Sequence, residues 1–276
     1  RTTVTDGGVP MFAFPDDAAY ALGWVARYGV WRSAELSGEV LACPTSDEVV
    51  TLVERLLADD ERIELEPDAA RGLLRAGGVE VVPVTVVRGP GDLETLEVRG
   101  RVALKAEAHD VGATTQRRGV ALDLHDHDDV LAAAAAIVEG MGDDAWPMVV
   151  QEMVESGVDV RISIATHPVV GPVVRLGPGG GAGRFAPSPR RVLPLTDRGA
   201  DELVTESGLH EVLDDDGRRH VVDLVRRLCA IVDAAPEVTE LTCDPVIVRA
   251  DGADVIEVRA TLADVAADDV PLVRRL

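Results

Sequence analysis

The chain has to fill its interior almost without aromatic rings, since it holds only three Trp, three Phe and two Tyr among 276 residues. Because 46% of it is still hydrophobic, the core falls to Val, Leu, Ala and Ile. That composition suits strands covered by Ala-rich helices and predicts α/β layering. A chain this long buries a sizeable core and divides more readily into two lobes than one. The formal charge of −22 and pI near 4.5 exclude the broad basic face that grips nucleic acid or an anionic membrane. An anionic ligand therefore needs a locally positive pocket. Cys43, Cys229 and Cys243 lie far apart with no CxxC spacing, which argues against a disulfide framework or a zinc site and fits a reducing cytoplasm. No secretory signal is apparent, and the apolar run from Ala132 to Val138 is far too short to span a bilayer. A first residue Arg1 in place of Met leads us to expect a piece of a longer polypeptide.

Residues 1 to 62 show helical periodicity from Asp16 to Trp31 and from Ser46 to Leu57, with no strand alternation, and read as a helical linker or the tail of a preceding domain. Pro67 opens a helix that runs to Arg75 and stops at Gly77-Gly78. Val79 to Val87 reads as a strand. The pattern then alternates: helix Gly91 to Glu97, strand Val102 to Ala106, polar loop Glu107 to Arg118, strand Gly119 to Leu124, helix Asp128 to Met141. Strands follow at Met148 to Glu152, Val158 to Ala165 and Val173 to Leu176, and a Gly- and Pro-rich loop spans Gly177 to Pro189. Helices Asp197 to Ser207 and Gly217 to Ala234 precede strands Glu240 to Val248 and Ala253 to Arg259.

Lys105 is the one lysine among 27 basic residues, and it sits inside the predicted strand Val102 to Ala106. A compact ammonium differs from a guanidinium fork, and phosphate binding is one task that uses the difference; a stem lying along the strand with its head in water is the other reading. The glycines of Gly177-Pro-Gly-Gly-Gly-Ala-Gly183 could present backbone N–H groups to a phosphate or form a plain flexible connection. Period two puts Glu240, Thr242 and Asp244 on one face of a strand, joined by the Ala250-Asp-Gly-Ala253 turn to a neighbour carrying Glu257. If Glu257 shares that face, Asp244 and Glu257 form the kind of oxygen site that Mg²⁺ uses beside phosphates; otherwise the face is simply solvated. No Ser/His/Asp constellation is present, and His109, His125, His127, His167, His210 and His220 show no metal-ligand spacing beyond the loop-like His125-Asp-His127.

In chain order, Val102-Ala-Leu-Lys-Ala106, Gly119-Val-Ala-Leu-Asp-Leu124, Val150-Gln-Glu-Met-Val154, Gly157-Val-Asp159, Gly171-Pro-Val-Val174, Gly177-Pro-Gly-Gly180, Arg191-Val-Leu-Pro-Leu-Thr196 and Glu240-Leu-Thr-Cys-Asp-Pro245 resemble the ATP-grasp half of NDP-forming acyl-CoA synthetases, from about residue 66 to 261. The resemblance implies an ATP-grasp fold: two α+β lobes with a nucleotide cleft between them, preceded by the helical linker. The lobes are expected at residues 63–144 and 145–276. It further implies ATP or ADP with Mg²⁺ as cofactors. Lys105 matches the family's phosphate-binding lysine. Gln151, Glu152 and Met153 match the hinge whose backbone faces adenine, and Asp159 falls where the family has Glu. Gly177, Gly179, Gly180 and Arg191 match cofactor-binding positions, and Asp244 and Glu257 the metal positions.

The departures shape the expected function. The family's mobile loop reads His-Lys-Ser/Thr-Asp-Val-Gly-Gly-Val, whose histidine could carry a phosphoryl group. Here Ala113, Thr114, Thr115, Gln116, Arg117 and Arg118 stand in that place, so no catalytic residue is assigned; Arg184 also replaces a family Glu in the glycine loop. The chain resembles degenerate modules fused to Gcn5-related acetyltransferases (GNAT) in high-GC actinobacteria. The first expectation is an ATP-binding module, impaired as a ligase, that regulates an attached GNAT domain. A working ADP-forming acetate or acyl-CoA ligase subunit is the second, and a non-catalytic assembly module the third. Its expected partners are other synthetase domains, including one that binds CoA, with self-association left open and no nucleic acid or membrane among them.

Overall fold

The computed structural model describes residues 3–4, 10–33, 47–58, 60–107, 119–181, 183 and 185–264. The expected loop from Ala113 to Arg118, His109 and Arg184 lie outside them. The chain divides into two units, residues 1–39 and 40–276. In the first, two-residue strands β1 (Thr3–Val4) and β2 (Pro10–Met11) pair antiparallel ahead of helix α1 (Pro15–Ser33). Tyr20 and Trp24 meet edge to face on α1, and the Arg27 guanidinium stacks over Trp24. No helix among the described residues is long and apolar enough to cross a membrane.

The second unit builds two sheets with separate cores. The smaller sheet has the order β4-β7-β5-β6, from β4 (Val84–Val87), β5 (Val102–Ala106), β6 (Val120–Leu124) and β7 (Met148–Glu152). Short helix α4 (Pro90–Glu94) and α5 (His127–Met141) accompany it, and Leu93, Leu104, Val130, Ile137 and Met148 close its core. The larger sheet has the order β10-β9-β8-β11-β13-β3 with β12 also paired to β11. Its strands are β3 (Arg62–Glu64), β8 (Val158–His167), β9 (Gly171–Pro178), β10 (Arg190–Val192), β11 (Val238–Arg249), β12 (Gly252–Val255) and β13 (Val258–Ala263). Helices α2 (Asp47–Leu57), α3 (Pro67–Ala76), α6 (Asp197–Glu206) and α7 (Asp215–Ala234) contribute to its core. Antiparallel alternation along β8 and β11 buries Ile162, Ile164, Leu241 and Cys243 on one side and leaves the polar residues of those strands on the other.

Strand pairing redraws the expected lobe boundary. The segment 148–152 hydrogen-bonds to β4 and β5 in the smaller sheet, whereas 62–64 pairs with β13 in the larger one. The divisions at 62/63 and 144/145 follow chain order; the sheets do not. Val79 to Val87 yields a strand only from Val84, because Pro83 offers no N–H to a ladder; Val81 makes an isolated parallel bridge to Val255. The predicted strand from Ala253 to Arg259 breaks into β12 and β13. Opposite the break, cis Pro245 coincides with a register shift of β11 between Cys243 and Val246.

Helix α7 starts on Asp214, whose side chain accepts from Gly217 N at 2.7 Å, and buries Leu228 and Ile231. Replacing Leu228 with Ala is expected to cost about 2–5 kcal/mol through lost transfer energy and a cavity. Asp214→Ala, which loses one cap bond, is expected to cost about 1 kcal/mol. Urea denaturation of the two variants checks the ranking.

Candidate functional site

Lys105 and Gln151 share a face of the smaller sheet, because Lys105 pairs with Val149 and Gln151 stands two residues further along β7. Lys105 Nζ donates to Gln151 Oε1 at 2.8 Å. Gln151, only 3% exposed, donates its Nε2 to the carbonyls of Val82 and Ile256, both at 3.1 Å. Both amide protons and the acceptor of Gln151 are thus engaged within the protein. Burial pulls the Lys105 ammonium below the usual lysine range, with the positive charge of Arg71 adding to the effect and Glu257 and Glu107 opposing it.

Arg71 on α3 was not singled out from sequence, although a guanidinium among the buried residues Ala70, Leu73 and Leu74 of a helix was a legible signal. It pairs with Glu107 at 3.0 Å, side chains 8% and 15% exposed, and with Asp68 at 2.9 Å. Because α3 packs on β13 and Glu107 follows β5, this pair ties the two sheets together. A cavity of about 140 Å³ is lined by Arg71, Lys105, Glu107, Gln151, Glu257 and Arg259.

A second cavity of about 430 Å³ shares Glu257 and Arg259 with the first and adds Gly177, Gly179, Gly180, Asp244, Arg161 and Arg175 among its lining residues. Asp244 and Glu257 therefore do face one space. Each has an arginine partner: Asp244 with Arg161 at 3.5 Å, Glu257 with Arg259 at 3.0 Å. Among the described residues no group of three or more His, Cys, Asp or Glu could hold a metal. Two oxygen donors flanking a phosphate-sized space suit a Mg²⁺ ion shared with phosphates rather than a closed protein cage.

Asp159 lies beneath the glycine loop. Its backbone carbonyl accepts from Gly179 N at 2.8 Å, and a Cβ at Gly179 would collide with its carboxylate. Its buried Oδ1 has no hydrogen-bond partner among the described residues. Burial pushes Asp159 above the ordinary aspartate range, and the charge of Asp244 adds to that; burial likewise raises Asp244. Glu152 and Met153 line neither cavity: Glu152 pairs across to Val102, and Met153 N donates to Arg101 O at 2.8 Å. Arg191 also lies outside both linings, where Glu202 at 3.0 Å and Glu206 at 2.7 Å on α6 hold it.

A lysine on a rigid strand, a glycine loop and two carboxylates thus converge on a cleft between two antiparallel sheets. Residues 56–262 match the sequence profile of an ATP-grasp domain, and the chain belongs to that family. Its ATP-grasp region is homologous to that of the ADP-forming acetyl-CoA synthetases. Acetate–CoA ligase (ADP-forming) I of Archaeoglobus fulgidus is 28% identical over 276 residues, covering 93% of this chain and 39% of the ligase. The chain thus spans about two-fifths of that relative's length. Among solved structures, a dinucleotide forming acetyl-coenzyme A synthetase 1 of Ca. Korarchaeum cryptofilum, in complex with coenzyme A and Ca-AMPCP, matches with a TM-score of 0.65 at 20% identity, covering 79% of this chain and 100% of that chain. A second structure of that synthetase, with coenzyme A and Mg-AMPPCP, matches with a TM-score of 0.62 at 22% identity, covering 76% and 98%. These structural likenesses establish the fold.

Removing the guanidinium of the buried Arg71–Glu107 pair leaves Glu107 uncompensated, so Arg71→Ala is expected to cost about 3–5 kcal/mol. Arg62→Ala, which breaks the exposed pair with Glu240, is expected to cost less than about 1 kcal/mol. Guanidinium denaturation separates the two. Because Asp159 and Asp244 are raised, the folded chain binds more protons than the unfolded one between the ordinary aspartate value and the raised values. Their contribution to stability therefore falls as pH rises through that window, against the opposite trend of Glu202 and Asp223, whose carboxyls are held low by their arginine partners. Asp244→Asn is expected to shrink this fall in denaturation series from acidic to neutral pH, and an unchanged slope would remove Asp244 from its origin.

Proposed function

We propose that this chain is the nucleotide-binding module of an ADP-forming acyl-CoA synthetase-like protein, taking ATP or ADP with Mg²⁺ between its two sheets. The observation that carries this reading is the shared Glu257–Arg259 wall, which joins the Lys105 cavity to the cavity lined by Asp244 and the glycine loop. In this reading Lys105 supplies a fixed positive charge to phosphate oxygens, pre-oriented by Gln151. Of the hinge at 151–153, the part that would meet the base is Gln151, which lines the smaller cavity. Asp244 and Glu257 would contribute oxygens to Mg²⁺, whose chemistry is charge neutralisation on the phosphates. The carboxylates would exchange their arginine partners for the ion.

The reading includes impaired ligase chemistry, supported by the lack of histidine from Ala113 to Arg118. On the resemblance to degenerate synthetase modules, we further infer regulation of an attached GNAT acetyltransferase, with a CoA-binding synthetase domain as the other partner. Free, buried Cys229 and Cys243, with thiols pushed up to about 12 by burial, suit a reducing cytoplasm. A working acetate or acyl-CoA ligase subunit is the second reading, favoured by the extent of the match to the Archaeoglobus fulgidus ligase.

Thermal melting with ATP or ADP, each with and without Mg²⁺, tests the site: ligand at 100 times its dissociation constant should add about 2.7 kcal/mol. Lys105→Met is expected to weaken ATP binding about tenfold or more, beyond an apo destabilisation of about 1–3 kcal/mol from the Gln151 Oε1 it leaves unpartnered, and Lys105→Arg not to restore it. Unchanged ATP affinity in Lys105→Met would sink the assignment. Labelling of a histidine by ATP in the complete polypeptide would favour the working ligase.

A further inference from the structure

The open face of the larger sheet carries a row of polar residues that the nucleotide reading does not use. Strand register places Arg175 of β9 opposite Ser163 of β8, Ser163 opposite Thr242 of β11, and Thr242 opposite Arg259 of β13. Directly opposed residues share a face. The four therefore form a line across the sheet about 14 Å long, at about 4.8 Å per strand, with a guanidinium at each end and two hydroxyls between. All four line the larger cavity. The Arg259 end meets the wall shared with Lys105, and the Arg175 end lies two strands beyond β11.

Charge is unevenly matched along this cavity. Arg161 and Arg259 face Asp244 and Glu257, one guanidinium to one carboxylate. Arg175 has no carboxylate within ion-pair distance among the described residues; its Nε donates to the Ser188 hydroxyl at 2.5 Å, and that hydroxyl's own donation to the Leu176 carbonyl, at 3.5 Å, is long enough to be exchanged for a ligand oxygen. Ser188 stands at the mouth of the glycine loop, close enough that a Cβ at Gly177 would lie 3.1 Å from its Oγ. In a chain of net charge −22, an arginine lining a cavity beside two serine hydroxyls and a glycine loop, with no carboxylate within ion-pair distance among the described residues, is a local concentration of donors, even though the Asp159 carboxylate under the loop balances the charge of the cavity as a whole. A guanidinium fork flanked by hydroxyls matches the oxygens of a phosphate dianion.

We propose that the Arg175 end of the cavity is a separate, metal-independent subsite for a phosphate dianion, held by Arg175, Ser163 and Ser188. The ligand is free phosphate or the phosphate end of a small ester. The proposal extends the nucleotide reading to a second anion in the same cleft but does not require that reading to hold.

The test is titration calorimetry of the chain with inorganic phosphate and with methyl phosphate, both in EDTA, and with ATP–Mg²⁺ in parallel. Phosphate is expected to bind the parent, to lose about tenfold or more in affinity in Arg175→Gln, and to keep its affinity in Lys105→Met. ATP–Mg²⁺ is expected to show the reverse pattern. Tighter binding of methyl phosphate than of phosphate would support the subsite and identify an ester as the ligand; equal or weaker binding would support it with free phosphate. No phosphate binding at millimolar concentration, or equal affinity in Arg175→Gln, would overturn the proposal. So would a parallel loss of ATP–Mg²⁺ binding in Arg175→Gln, which would make Arg175 part of the nucleotide's own site. Phosphate binding through Arg175 without any ATP binding would uphold the subsite and refute the nucleotide reading.

Discussion

The buried carboxamide of Gln151 is the contact on which the cleft depends. A polar side chain at the end of the apolar run Met148–Val150 would be costly if it lacked partners, and Gln151 has all of them. One bond reaches Lys105, one the Val82 carbonyl where the chain enters the smaller sheet, and one the Ile256 carbonyl at the break between β12 and β13. Residue 257 follows that carbonyl, so the same side chain fixes the lysine and the backbone that carries a candidate metal ligand. The Arg71–Glu107 pair, also lining the smaller cavity, ties the sheets a second time.

The electrostatics of the cleft follow from that geometry. Confinement lowers the charge preference of Lys105 and raises the proton affinity of Asp159 and Asp244. Arg71, Arg161 and Arg259 pair with Glu107, Asp244 and Glu257. At these pairs an entering phosphate or cation would exchange one set of charge contacts for another instead of desolvating bare ions.

Much of this was legible in residue order, for identifiable reasons. Val102–Ala106 and Met148–Glu152 appear as predicted because they are apolar runs bounded by polar ones. Lys105 stood out by its uniqueness, and period two placed Asp244 beside Thr242 on the open face. Arg62–Glu64 escaped notice because an edge strand of three residues with charges at both ends carries no hydrophobic alternation. The lobe membership of Met148–Glu152 was illegible because pairing partners lie far away in sequence. The resemblance places the backbone of Gln151 in the hinge, and its side-chain bonds to Lys105, Val82 and Ile256 were illegible because those partners lie far away in sequence. Arg191 matched a motif, yet Glu202 and Glu206, on a helix after the motif, set its contacts.

Each sheet has its own hydrocarbon core, and between them the three bonds of Gln151 and the Arg71–Glu107 pair stand beside apolar Leu65, Val84, Val149, Ile256 and Val258 in the wall of the smaller cavity. A cleft with such a mixed wall keeps apolar edges of both sheets in water. Filling it takes that surface out of water, so occupancy of the cleft carries a negative heat-capacity change.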